Sequence, residues 1–260
     1  MATISNEMTS FSSANAAPIM DAETYEPAAA PRVISLTQPM SPAAEQYRVL
    51  RYRLECLAKA GIKALAFTSP QSGDGKTTTA VNAALALGKG GRNRVVLVDA
   101  DLRRPGVANM LGLRANKGLC DVVAGRASID DCLWRFGADE LYVLPAGNTP
   151  DDLSDTLYDP RLGEVMAALK QRFDFVVVDT PPVLPLADVP TLCRDLDGAV
   201  MVVRAGVTPK ELVDSAISAL YGVVVHGMVL NEVEPRVAQM LRIMPYTGNN
   251  ESQKALPAKR

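Results

Sequence analysis

The residues best suited to chemistry lie between Ser69 and Thr77, in the segment Ser-Pro-Gln-Ser-Gly-Asp-Gly-Lys-Thr. Its two glycines let successive backbone N–H groups surround a phosphate, at the start of a predicted helix whose N-terminus favours anions. The pattern predicts that Lys76 reaches the phosphates of a nucleoside triphosphate and that the Thr77 hydroxyl binds Mg²⁺, although Pro70 replaces the first glycine of the general pattern. The predicted nucleotide-binding residues are Ser72, Gly73, Asp74, Gly75, Lys76, Thr77 and Thr78.

Three aspartates stand at the ends of predicted strands downstream of this loop. Asp99 and Asp101 follow the run Val96-Leu97-Val98, and their spacing places both carboxylates on one side if the chain stays extended. Asp179 ends a second apolar run, as the metal-side carboxylate of a phosphate loop does. Two desolvated like charges need a compensating cation. The sequence therefore predicts a Mg²⁺ site formed by Thr77, Asp99, Asp101 and Asp179.

Short apolar runs alternate with helical patterns through most of the chain. Val-rich runs suit strands buried on both faces, and strand–helix alternation predicts an α/β fold, a mostly parallel sheet with helices on both faces. Together with the phosphate loop, this predicts a phosphate-loop NTPase. The predicted strands are 64–67, 95–98, 141–144, 175–178, 199–203 and 227–230, and the predicted helices include 77–87, 162–173 and one opened by a capping box at Thr208-Pro209-Lys210-Glu211.

The composition predicts one domain, residues 41–235, between two tails. Residues 1–40 are rich in small polar residues and proline without a hydrophobic period, which predicts a disordered tail, and residues 236–260 are expected to be flexible. A net charge of -2 and the lack of a basic stripe argue against nucleic-acid binding. No signal peptide or apolar span is found, so a cytoplasmic chain is expected, with its four cysteines reduced and buried.

An amphipathic helix is predicted at about 42–59, ahead of the first strand. Ser41-Pro42 supplies an N-cap and a favourable first position, and Gly61 supplies a stop. The apolar side chains share one arc of the helix, which is expected to pack against the domain. The opposite arc is charged and contains Glu45, Arg48, Arg51 and Glu55.

Taken together, these motifs resemble the bacterial tyrosine kinases of polysaccharide export, called BY-kinases, within the MinD/ParA-like phosphate-loop ATPases that carry a deviant Walker A motif. The resemblance covers residues 41–235. The segments that carry it are Asp99-Ala100-Asp101-Leu102-Arg103-Arg104-Pro105, Asp179-Thr180-Pro181-Pro182 and Glu45-Gln46-Tyr47-Arg48-Val49-Leu50-Arg51, the last of which matches the family's E-x-x-R-x-x-R motif.

The resemblance implies ATP- and Mg²⁺-dependent phosphorylation of tyrosine, regulating exopolysaccharide or capsule synthesis and export. It implies that the catalytic residues are Lys76, Asp99, Asp101 and Asp179, and leaves open which of Asp99 and Asp101 acts on the incoming phenol. It also implies that the unphosphorylated chain forms a homo-oligomer, in which Glu45, Arg48 and Arg51 contact a neighbouring subunit. A separate membrane-embedded adaptor of the polysaccharide co-polymerase type would activate the kinase and recruit it to the inner face of the cell membrane.

The identity of the phosphate acceptor stays open at this point. Members of the family usually carry a tyrosine cluster near the C-terminus, where this sequence has Tyr246. Tyr25, in an acidic stretch, is a second candidate, and a tyrosine of a partner protein is a third.

Two other functions compete with the kinase interpretation. A positioning ATPase of the MinD/ParA type would carry a signature lysine where this chain has Gln71. A non-catalytic ATP-binding scaffold of an export complex would not need to retain Lys76 and the three aspartates. Formation of phosphotyrosine separates the three alternatives.

Overall fold

The structure is a computed structural model that describes residues 20–21, 31–137, 140–185 and 188–234. Both candidate acceptors, Tyr25 and Tyr246, lie outside the described residues, as do the predicted C-terminal tail and most of the predicted N-terminal tail.

One sheet forms the centre of the described chain, in the order β1-β4-β5-β3-β6-β2-β7-β8. Every neighbouring pair is parallel except β4 and β5, which confirms the predicted mostly parallel sheet. The six predicted strands are present with ends shifted by at most two residues, whereas β1 and β4 were not predicted. The strands are β1 Met20–Asp21, β2 Ala64–Thr68, β3 Val95–Asp99, β4 Trp134–Phe136, β5 Leu141–Leu144, β6 Phe175–Asp179, β7 Gly198–Arg204 and β8 Val225–Asn231.

Helices cover both faces of this sheet, as the strand–helix alternation predicts. Alternate residues of β3 belong to opposite cores: Val96 and Val98 pack in one, and Val95 and Leu97 in the other. The parallel strands are buried on both faces, which accounts for their continuous apolar runs. The helices are α1 Ile34–Thr37, α2 Pro42–Lys59, α3 Lys76–Gly88, α4 Val107–Met110, α5 Leu119–Val123, α6 Ile129–Cys132, α7 Ser154–Leu157, α8 Pro160–Arg172, α9 Asp188–Cys193 and α10 Lys210–Ala219.

Residues 31–40 differ from the sequence-based expectation. Their composition predicts a disordered tail, but they include α1, and Val33 is fully buried against the core that contains α3. The Asn82 side chain accepts from the Ser35 N–H at 2.9 Å and donates to the Arg32 carbonyl at 2.9 Å. The apolar stretch is too short for a period to be recognised in the sequence. Contacts with α3, which lies about 50 residues later in the chain, hold it in place.

Helix α2 has the predicted bounds and the predicted N-cap. The Ser41 hydroxyl accepts from the Ala44 N–H at 3.1 Å, and Gly61 adopts φ +88° just beyond the helix. Leu54 is buried against α3, whereas the opposite side carries ion pairs, Arg48 with Glu45 and Arg51 with Glu55. The amphipathic interpretation is confirmed.

The four cysteines are free, but only three of them are buried. Burial raises the pKa of Cys120 and Cys132 to about 11 and that of Cys193 to about 12, so these three remain neutral thiols at neutral pH. Cys56 is exposed, contrary to expectation, because it lies on the outward side of α2.

Candidate active site

The catalytic candidates converge because their strands are neighbours in the sheet. Strand β6 lies between β3 and β2, with Asp179 aligned to Asp99 on one side and to Phe67 on the other. The loop from Ser69 to Thr77 follows β2 directly. Parallel strands place their carboxyl ends at one edge, so residues about 100 positions apart in sequence meet there.

The phosphate loop has the backbone that its glycines predict. Gly73 and Gly75 adopt φ of +92° and +93°, in the left-handed region where glycine alone is unstrained. Lys76 then begins the 13-residue helix α3, so the loop N–H groups and the helix N-terminus face the same space. The arrangement suits an anionic phosphate.

Asp74, one of the predicted nucleotide-binding residues, turns its side chain into the protein. It is 1% exposed and accepts a hydrogen bond from the Thr208 hydroxyl at 2.7 Å. The Asn231 side chain donates to the Asp74 carbonyl at 3.0 Å. Thr208 therefore fastens the loop to the segment before α10 and does not cap that helix, whose N-cap Pro209 has no side-chain hydrogen bond. The predicted capping box is wrong.

Lys76 occupies the centre of the acidic edge. Its ammonium lies 2.5 Å from Asp101 Oδ2, 3.9 Å from Asp179 Oδ1 and 3.4 Å from the Thr77 hydroxyl. Asp101 also accepts from the Arg104 N–H at 3.1 Å. The lysine thus compensates two buried carboxylates from one position.

Asp99 has different partners from Asp101, although the two lie two residues apart. Strand β3 ends at Asp99, so the extended geometry that would keep both carboxylates on one side stops there. Asp99 Oδ2 accepts from the N–H groups of Gly106 at 3.0 Å and Val107 at 2.9 Å. One oxygen of Asp99 thereby fixes the chain where α4 begins.

The third carboxylate, Asp179, is fully buried, and neither of its oxygens has a hydrogen-bond partner. Burial raises its pKa to about 8 despite the opposing charge of Lys76. Burial likewise raises the pKa of Asp99 to about 6, with the Asp101 charge adding to the rise. Without a further cation the edge therefore favours the protonated form of Asp179 at neutral pH.

The predicted Mg²⁺ ligands are only partly brought together. The described residues contain no group of three acidic, histidine or cysteine side chains arranged to hold a metal ion. Asp101 is paired with Lys76, and one Asp99 oxygen is used by backbone N–H groups. The unpartnered oxygens of Asp179, near Thr77 and Lys76, fit a hard cation that prefers oxygen ligands. The four-residue ligand set stays a prediction.

Sequence reasoning missed three residues that position the site. Thr208 and Asn231 hold the phosphate loop at Asp74, and Asp188 accepts from Arg103 Nε at 2.6 Å. Their partners lie between 85 and 157 residues away, so no local pattern marks them. Asn231 directly follows the predicted strand 227–230, which was its only signal.

The oligomerisation candidates lie away from this edge. Glu45, Arg48 and Arg51 are partly exposed on α2, and Arg48 Nε donates to Glu45 at 2.6 Å. None of the helices in the described ranges combines the length and hydropathy needed to cross a membrane.

Comparison with known proteins places the chain in a family. A family described as "AAA domain" matches residues 62–203. The tyrosine-protein kinase YwqD of Bacillus subtilis (strain 168) is 34% identical over 189 residues, which cover 72% of this chain and 79% of YwqD. The tyrosine-protein kinase wzc of Salmonella typhi is 30% identical over 78% of this chain, which spans only 28% of that protein.

Solved structures agree with the sequence relatives. The kinase domain of the Escherichia coli tyrosine kinase ETK superposes with a TM-score of 0.73 at 25% identity, covering 86% of this chain and 84% of that domain. The phosphate loop, the strand-end aspartates and the match to YwqD together show that the chain belongs to the bacterial tyrosine kinase family, within the MinD/ParA-like phosphate-loop ATPases.

Proposed function

We propose that this chain is a cytoplasmic protein-tyrosine kinase that transfers a phosphoryl group from ATP to a tyrosine of its own or of a partner. The observation that carries the proposal is the position of Lys76, between the phosphate loop and the buried carboxylates Asp101 and Asp179. Phosphoryl transfer needs positioning and charge stabilisation more than covalent chemistry, and this edge of the sheet offers both.

Nucleotide binding would use the backbone of the phosphate loop together with Lys76. In this proposal Mg²⁺ is held by the Thr77 hydroxyl and by Asp179, with Asp99 and Asp101 close by. When bound, the ion supplies charge neutralisation at the phosphates. Lys76 leaves Asp101 to contact the phosphates, and the released carboxylate can then accept a hydrogen bond from the incoming phenol. We assign the phenol-orienting role to Asp101, whose Oδ2 loses its partner when Lys76 leaves. Asp99 keeps the bonds of its Oδ2 to Gly106 and Val107, and its unpartnered Oδ1 is assigned to the Mg²⁺ side.

The acceptor is assigned to a tyrosine presented by another chain or by a tail. Tyr25 and Tyr246 are the candidates from the sequence. Among the described tyrosines, Tyr221 is 94% exposed and Tyr158 is 64% exposed, so both are accessible to a second molecule. Phosphopeptide mapping after incubation with ATP tests these four together, and labelling confined to a partner protein would exclude all of them.

Partners are proposed from the family resemblance and from the charged face of α2. A second copy of the chain would contact Glu45, Arg48 and Arg51, forming an oligomer when unphosphorylated. A membrane-embedded adaptor of the polysaccharide co-polymerase type would recruit the kinase to the inner face of the membrane. Through that adaptor, phosphorylation would regulate exopolysaccharide or capsule synthesis and export.

The decisive experiment is incubation of the purified chain with ATP and Mg²⁺, with and without the cytoplasmic segment of a candidate adaptor. Phosphotyrosine is read by a specific antibody, and Lys76→Met serves as the inactive control. We expect phosphotyrosine that depends on Lys76 and increases with the adaptor segment. ATP hydrolysis without phosphotyrosine in both conditions would instead favour the positioning ATPase, and ATP binding without either reaction would favour the scaffold.

A further inference from the structure

A cationic cavity lies at the opposite end of α3 from the phosphate loop. It has a volume of about 270 Å³ and is bordered by residues of α1, α2 and the segment after α3. Four of the described side chains that line it are basic and none is acidic: Arg48, Arg51, Lys89 and Arg92. Because α3 has 13 residues at about 1.5 Å each, the cavity lies ~20 Å from Lys76.

The positive charge of this cavity is only partly compensated. Arg48 pairs with Glu45, and Arg51 Nε lies 3.6 Å from Glu55 Oε1. That distance is too long for a hydrogen bond, so the buried N–H of Arg51 Nε has no acceptor. Lys89 and Arg92 form no ion pair with any residue in the described ranges. Lys89 and Arg92 are exposed, so two solvated cations and one buried donor remain available to an anion.

Helix electrostatics account for part of this arrangement. Basic residues beyond a helix C-terminus interact favourably with its partial negative charge, and Lys89 follows the end of α3. This effect needs neither a cavity nor the two arginines that α2 contributes to the same wall. In a chain whose Arg48 and Arg51 are not engaged by a second copy, a ligand that supplies acceptor oxygens accounts for all of these features.

We propose that the cavity binds a phosphate monoester, and that the monoester is phosphotyrosine. Such a group carries about −1.5 to −2 charges at neutral pH and three strong acceptor oxygens, which match two uncompensated cations and one unpaired donor. Arginine is the side chain that best recognises phosphate with paired donors. The cavity volume is just below the ~300 Å³ of small-ligand pockets and suits a phosphoryl group with one ring.

The choice of phosphotyrosine rests on the proposed kinase function, since it is the product of that reaction. The proposal that the cavity binds an anion does not depend on the kinase function. Inorganic phosphate shares the same chemistry and lacks the ring, so the two sources are distinguishable by affinity.

Calorimetric titration of the full chain tests the proposal, with ADP and Mg²⁺ held saturating so that the nucleotide site stays occupied. The probes are phenyl phosphate, inorganic phosphate and phenol. We expect phenyl phosphate to bind most tightly, phosphate more weakly and phenol not at all. The double substitution Lys89→Gln and Arg92→Gln, and separately Arg48→Gln, should each weaken phenyl phosphate binding about tenfold or more, the loss expected for a charged contact.

Arg53→Gln is the matched control, because Arg53 is an exposed cation on α2 that does not line the cavity. It should leave the affinity unchanged, and thermal unfolding should show that every variant is folded. Failure of phenyl phosphate to bind, or equal binding to the double variant, would overturn the site. Equal affinities for phenyl phosphate and phosphate would overturn phosphotyrosine as the ligand. No turnover is measured, so a failed kinase assay would count only against the proposed function.

Discussion

The ammonium of Lys76 lies 2.5 Å from Asp101 Oδ2 and 3.9 Å from Asp179 Oδ1, at one edge of the sheet. The lysine is thus held by the protein's own carboxylate in the position from which it would reach a phosphate. In the proposed function, binding of ATP would exchange one anionic partner of Lys76 for another, without requiring a newly formed charge.

Replacement of Lys76 by methionine should therefore abolish most phosphoryl transfer. A charged hydrogen bond contributes about 1.5–3 kcal/mol, so the affected step should slow at least about tenfold. The rate of phosphotyrosine formation at saturating ATP measures the effect. Lys63→Met, at an exposed lysine before β2, is the control and should retain the wild-type rate.

The pH dependence of stability should report the buried carboxylates. Because the folded-state pKa of Asp179 is about 8, against 3.8 as the ordinary value, the native state holds its proton more tightly than the unfolded chain. Its contribution to the free energy of unfolding is complete below about pH 4 and is lost as the pH rises towards 8. The raised pKa of Asp99 has the same effect, because its contribution to the free energy of unfolding is lost as the pH rises towards 6.

Asp179→Asn should remove the loss of stability that the wild type shows as the pH rises towards 8, because the amide stays neutral. In the absence of Mg²⁺ the variant should unfold at a higher temperature than the wild type at pH 8, by ~2–4 °C for each kcal/mol gained, while its kinase activity falls. Scanning calorimetry between pH 5 and 9 measures the difference. Asp151→Asn, at an exposed site, should follow the wild-type profile, and parallel profiles for Asp179→Asn would contradict the interpretation.

Thr208→Val should weaken the attachment of the phosphate loop. The substitution keeps the shape of the side chain but removes the 2.7 Å hydrogen bond to the buried Asp74. We expect a loss of about 1–3 kcal/mol in the free energy of unfolding and a weaker affinity for ATP. Denaturant titration and equilibrium binding measure the two effects, and Ser218→Ala, on the exposed face of α10, should change neither.

The two glycines of the phosphate loop should differ in their tolerance of alanine. Both have φ near +92°, so each substitution introduces similar backbone strain of ~1–2 kcal/mol. A Cβ at Gly75 would lie 2.0 Å from Asn231 Nδ2, whereas one at Gly73 meets no atom within 4 Å. Gly75→Ala must displace Asn231 from its bond with Asp74, so it should be the more destabilising by about 1 kcal/mol in denaturant unfolding. Equal losses would show that Asn231 contributes nothing there.

Local sequence patterns predict much of this fold but little of its cross-chain bonding. The core strands, the phosphate loop and α2 each follow from a periodicity, a glycine pattern or a cap within a few residues. Strand β4, with three residues, is too short for its pattern to be recognised, and α1 is ordered through Asn82. Thr208 begins a segment with the residue types of a capping box, yet its hydroxyl donates to Asp74, 134 residues earlier. This hydrogen-bond partner is within reach only in the assembled sheet.

The strand order also determines when the site comes into existence. Lys76, Asp101 and Asp179 meet only after β6 has inserted between β2 and β3, and the loop gains Thr208 and Asn231 only when β7 and β8 have paired. A nascent or partly unfolded chain therefore presents no complete nucleotide site. A nucleotide that needs the assembled site would bind the native state alone, so ATP would stabilise the finished domain by mass action.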